Sequence, residues 1–233
     1  MGAAGKARRG GRRRQPPPGV PALPPGLDAL DADGLRAGDE HAGVELRDLD
    51  LAGEHITAVS LEMARVKACR LDGAELRRLH CRQVVFENCD FANSKWLDCE
   101  LADVAFLGCR FIGASLSGGR LGDLLLRDCQ LKLARLSHLG RPNALLERCD
   151  LRGALLMESD LSQLCFGDCE LGDAELFNVD LGGCDLRGNE LDGLKGVGCL
   201  RGATVDALQL LSLGPALAAH VGLTVEEAVG EGV

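Results

Sequence analysis

From Leu46 to Leu191 a large apolar residue returns at every fifth position, and neither regular backbone structure can use that spacing. Of the thirty positions reached by steps of five, twenty-eight are Leu, Ile, Val, Phe or Trp, and the exceptions are Cys81 and Arg141. On an α-helix five steps of ~100° leave successive hydrophobes ~140° out of line, so they wind around the rod. On a strand an odd step points every second hydrophobe outward. All of them reach one core only if the chain turns a corner once per five residues. Within each five, the residue two before the centre and the centre itself point in, the residue between them points out, and the last two make the corner.

Four right-angle corners close a square coil of twenty residues, and such a coil stacks like residues at a spacing of twenty. Cys69, Cys89, Cys109, Cys129, Cys149 and Cys169 fall at that spacing, as do Ala74, Ser94, Ala114, Ala134, Ala154 and Ala174. A period of five alone does not demand a period of twenty. Internal repeats of this kind mean a solenoid.

The segments CDLRGALLMESDL at 149–161 and CELGDAELFNVDL at 169–181 resemble the A(D/N)LXX motif of the pentapeptide-repeat family, and the likeness covers about 150 of 233 residues. The resemblance implies an all-β, right-handed quadrilateral parallel β-helix of about seven coils. A rod must close its open ends, and the period fails after Leu191, so a short C-terminal helical cap is expected. Thr204 is placed to cap a helix bearing Val205, Leu208 and Leu211 on one face, with Gly214 and Pro215 breaking it. The boundaries that follow are a disordered, basic, Pro-rich tail over 1–40, a repeat rod over 41–200, and a cap over 201–233. In similar proteins the C-terminal segment also pairs two rods, so a homodimer through it is expected.

Composition narrows the function. Residues 1–14 hold six basic residues and no acid, so the net charge of −9 splits into +6 for the tail and −15 for the rest. The tail reads either as a solvated extension or as an anchor for nucleic acid or an anionic membrane. No apolar run is long enough for a transmembrane helix, and QPPPGVPALPPG is no signal-peptide core. A cytoplasmic location is expected, with the eleven cysteines reduced. Cysteines stacked in a straight line suit neither a disulfide nor tetrahedral zinc, so they read as core filler. The five histidines are scattered, and no catalytic triad, phosphate loop or dinucleotide fingerprint is present. No catalytic, cofactor-binding or metal-binding residue is expected, and the chain reads as a non-enzymatic scaffold for a protein partner.

Two surfaces are candidates for that partner. Val85, Ala105, Leu125, Leu145 and Cys165 fall at outward positions of one face and predict an apolar stripe, open either to a partner or to self-coverage by the segment around Leu27–Leu46. Charge supplies the other surface. Residues 46–149 carry 14 acids and 15 bases, but residues 150–193 carry 11 acids against Arg152 and Arg187 alone. Asp150, Asp160, Asp168, Glu170, Asp173, Glu175, Asp180 and Asp185 form the acidic patch. Some members of the family bind DNA gyrase or topoisomerase IV in place of DNA, and the resemblance implies that activity for an acidic rod of this kind. Arg141 replaces an inward hydrophobe, which predicts a bulge there, with Pro142 fitting it.

Overall fold

The computed structural model describes residues 16–224 and is a β-solenoid. Two parallel sheets form opposite walls. One runs through Val44–Arg47, Ser60–Lys67, His80–Glu87, Glu100–Leu107, Leu124–Arg127, Ala144–Glu147 and Leu164–Gly167. The other runs through His55–Thr57, Glu75–Arg77, Lys95–Leu97, Ser115–Ser117, Arg135–Ser137, Leu155–Asp160 and Glu175–Asp180. Register steps by twenty from coil to coil: Phe86 pairs with Phe106, Leu76 with Trp96 and Leu125 with Leu145. A third wall is held by single bridges that climb from Asp50↔Arg70 to Glu170↔Glu190.

The corners explain the residues that fill them. The second position after the centre adopts positive φ at most corners, as at Asn88 (53°), Asp98 (53°), Asp128 (55°) and Asp168 (53°). Asn, Asp and Gly tolerate this left-handed region best. The four walls then enclose a continuous core from Val44 to Leu213 in which the centres of the pattern, Cys81 and Arg141 apart, are Leu, Ile, Val or an aromatic.

The N-terminal boundary differs from the expected one. Residues 16–40 are described, and Asp28–Ala29 pairs in parallel with Val44–Glu45, an offset of sixteen rather than twenty. That short strand adds a coil below the periodic run and gives about eight turns instead of seven. The basic residues from Lys6 to Arg14 lie outside the described residues.

The cap also departs from expectation. Its helix, α1, covers Ala207–His220 without a break, and its N-cap is Asp206, whose carboxylate accepts from the Leu208 and Gln209 amides. Pro215 sits inside it. A proline there forfeits one backbone bond, which the packing of Leu213 into the end of the rod offsets. The inward residues are Gln209 and Leu213, whereas Leu208 and Leu211 are 78% and 74% exposed.

At the expected bulge, Arg141 has φ 52° and its side chain turns out toward Asp160, 3.9 Å away. Pro142 is buried and takes the inward place that Arg141 vacates. The regular ladder lapses there, and the Ser159 hydroxyl substitutes by accepting from the Leu139 amide at 3.0 Å.

Candidate interaction surface

The third wall carries the acidic surface. Its outward residues rise in the order Asp50, Arg70, Asp90, Arg110, Gln130, Asp150, Glu170, Glu190. In the lower half opposite charges alternate, and Arg70–Asp50 and Arg110–Asp90 each close at 2.9 Å. Above Gln130 the alternation stops and three carboxylates succeed one another. Like charges on neighbouring rungs repel, so this stack persists only with cations drawn in beside it. Arg152 supplies one, reaching Asp150 at 2.8 Å and Glu170 at 3.0 Å, and Lys132 reaches Asp150 at 3.0 Å. Desolvation alone would raise the Asp150 carboxyl, but donation from Arg152 and Lys132 outweighs it and holds the group at about 2.

The eight acids expected from sequence therefore separate into two sets. Asp150, Asp160, Glu170, Glu175 and Asp185 are ion-paired, with Arg152 and Lys132, Arg141, Arg152, Lys195 and Arg187 respectively. Asp168, Asp173 and Asp180 have no ion-pair partner among the described residues. They sit at two different corners and on the fourth wall, so the structure spreads them around the last coils instead of aligning them. Sequence reasoning missed Glu190, which completes the acidic stack; its spacing of twenty from Glu170 was the available signal.

The apolar stripe is present but is not open. Val85 is 2% exposed, Ala105 and Leu125 are 0%, and Leu23 packs against the cluster they form. The cover is thus the proline-rich segment 16–27, upstream of the Leu27–Leu46 stretch considered from sequence. Pro21 is buried with it, while Leu145 and Cys165, farther along the stripe, stay half-buried. Proline explains the choice of cover: the ladder uses the wall's own amides, and a segment with few N–H groups can lie on it without unmet donors.

The cysteine column turns out to do more than fill space. Each thiol from Cys89 to Cys169 donates to the carbonyl twenty-three residues earlier: Cys89 to Val66 at 3.4 Å, Cys109 to Phe86 at 3.5 Å, Cys129 to Phe106 and Cys149 to Leu126 at 3.4 Å, Cys169 to Leu146 at 3.4 Å. Burial raises Cys81, Cys99 and Cys109 above the ordinary thiol range. A thiolate on Cys89 or Cys129 would be drawn down by S–H donation from its neighbours, but each such gain is matched by a rise at those neighbours.

Comparison with known proteins places this geometry. The family model described as a pentapeptide repeat region matches residues 59–136, and that for pentapeptide repeats in eight copies matches residues 143–173. No curated protein matches. Among solved structures, a trypsin-treated form of QnrB1, a plasmid-mediated fluoroquinolone resistance protein, is 19% identical, with 85% of this chain and 95% of that chain covered and a TM-score of 0.43. HetL, a pentapeptide-repeat protein involved in heterocyst differentiation regulation in the cyanobacterium Nostoc, is 20% identical over 72% of this chain and 87% of its own, with a TM-score of 0.32. Among the described residues no helix is long and apolar enough to cross a membrane.

Proposed function

The chain is a pentapeptide-repeat protein, and from that premise we propose that it acts as a stiff, non-enzymatic scaffold whose last coils offer a carboxylate surface to a protein partner. The observation that carries the reading is the change at Gln130, where a self-neutralising ladder gives way to Asp150, Glu170 and Glu190 in succession. A partner site lined with Lys and Arg to hold phosphates accepts such a surface in place of nucleic acid. DNA gyrase or topoisomerase IV is the narrower form of this reading, drawn from the family resemblance. The same reading gives α1 a role in pairing two copies, since Leu208, Leu210 and Leu211 are exposed along it.

The experiment is inhibition of DNA gyrase supercoiling by the parent and by a triple variant, Asp168→Asn, Asp173→Asn and Glu190→Gln, the last at the top of the acidic stack. These three carboxylates lack ion pairs, so the change removes charge without stranding a cation. Inhibition by the parent that the variant largely loses supports the carboxylate surface. Absence of inhibition by the parent at every ratio of protein to enzyme removes gyrase as the partner.

A further inference from the structure

The covered stripe is a second surface, independent of the acidic coils, and its cover says what it is built to hold. The segment enters at Pro16, whose carbonyl accepts from the Asn143 side chain at 3.3 Å, and leaves at Asp28, whose amide donates to Gly43 at 2.9 Å. Between those points it crosses the levels of Leu125, Ala105 and Val85, yet among the described residues none of 17–27 makes a hydrogen bond to the rod. Apolar contact alone holds it, through buried Pro21 and half-buried Pro18, Leu23 and Leu27. Most of its other residues are exposed, Val20 at 47%.

We propose that the Val85–Ala105–Leu125 stripe is a groove for an extended, proline-rich apolar protein segment, and that residues 16–27 occupy it in cis as a displaceable strap. Three features of the groove fit that occupant. Its floor is aliphatic and, from Val85 through Leu145 to Cys165, longer than the part Leu23 covers. Its backbone groups are used in the ladder, which excludes an added β-strand, a mode that needs free edge amides. Arg65, paired with Glu87 at 3.4 Å, ends the aliphatic floor one rung below Val85, so the aliphatic length that Leu23 leaves free lies toward Leu145 and Cys165. Proline-rich segments bind such surfaces at low ordering cost because they are already extended when free. A strap held by the same chemistry excludes them by effective concentration.

The test uses the full chain and leaves the rod untouched. A fluorescent synthetic peptide with the sequence of residues 16–27, PPPGVPALPPGL, is titrated into the parent and into the strap variant Leu23→Asp, with fluorescence anisotropy as the readout. Pro21→Asp serves as a second variant at an independent strap contact. The proposal expects both folded variants to bind the peptide at least about tenfold more tightly than the parent, because the cis competitor is weakened. Binding that is equal in parent and variants overturns it, and so does failure of both variants to bind while their circular dichroism matches the parent. Sedimentation of the parent adds a further check: a dimer that dissociates on Leu23→Asp means the strap comes from a second copy, which overturns occupancy in cis.

Discussion

At the scale of single residues the repeat assigns chemistry by wall and level. Cysteine suits the column from Cys69 to Cys169 because it is small enough to sit beside a large centre and carries a weak donor for the carbonyl of the coil below. Ser94 shows the same logic in the neighbouring alanine column. It accepts from the Trp96 indole at 2.9 Å and donates to the Phe91 carbonyl at 2.7 Å, which lets a tryptophan enter an otherwise dry core. The sequence disclosed that Ser94 stands where alanine is the rule, but not the bond that makes serine necessary. Of the eleven cysteines, nine are buried, and Cys165 and Cys199 are intermediate. Buried structural thiols are inert because reagents cannot reach them. Titration of the native protein with a chromogenic disulfide should therefore show two accessible thiols, Cys165 and Cys199, with the other nine released only on unfolding by guanidinium. Fast reaction of the whole set would mean that the column is not a closed core.

At the scale of elements the question is how a ladder with no next rung ends. In the last coil Asn189 takes the place of the cysteine: its side chain accepts from the Cys169 amide at 2.8 Å and donates to the Leu186 carbonyl at 2.9 Å. Gln209 of α1 completes the closure, donating to the Leu186 and Asn189 carbonyls at 2.6 and 2.7 Å while its side-chain oxygen accepts from the Asp206 amide. One side chain thus closes the rod and starts its own helix in a capping box. A cap was legible from the loss of period after Leu191, but its inner face was not. Leu208 and Leu211 advertise an apolar face by composition, whereas the demand at the rod's end is for hydrogen-bond donors. Gln209→Leu keeps the volume and removes the donors, leaving the buried Asn189 carbonyl unmatched at ~1–3 kcal/mol, while the Leu186 carbonyl keeps its bond from Asn189. The expected result is a loss of roughly 1–3 kcal/mol, read as a lower denaturation midpoint with the rod's circular dichroism retained below it. An unchanged midpoint would show that the cap contributes nothing to the rod's closure.

At the scale of the whole molecule the period of five made the fold readable because each wall repeats one steric demand, and the readable part ends where that demand is broken. The register alone could not show which coils fit well. Phe86 stacks on Phe106 at 4.8 Å and Phe91 on Phe111 at 4.9 Å, with Trp96 set edge-on to Phe91 at 5.1 Å, so five aromatic side chains cluster in the coils from Phe86 to Phe111. Above it the same square backbone encloses Leu126, Leu131, Leu146 and Leu151 in place of rings. Arg141 has also left the interior. The walls keep their spacing because the ladder sets it, so smaller side chains leave a void instead of collapsing. An apolar cavity of about 80 Å³ follows, lined by Phe106, Leu116, Leu126, Leu136, Pro142 and Leu146 among others. In a solenoid each coil is stabilised only by its neighbours, which makes this stretch the weak coupling between the aromatic half and the acidic half. At ~24 cal/mol per Å³ a void of that size costs about 2 kcal/mol. Leu126→Phe continues the Phe86–Phe106 stack into it and should raise the guanidinium midpoint by part of that amount, about 1 kcal/mol. The same exchange at Leu186, which is 1% exposed and lies off the cavity lining, should lower the midpoint by overpacking. Equal effects at the two sites would mean that the void between the two halves of the rod does not exist in solution.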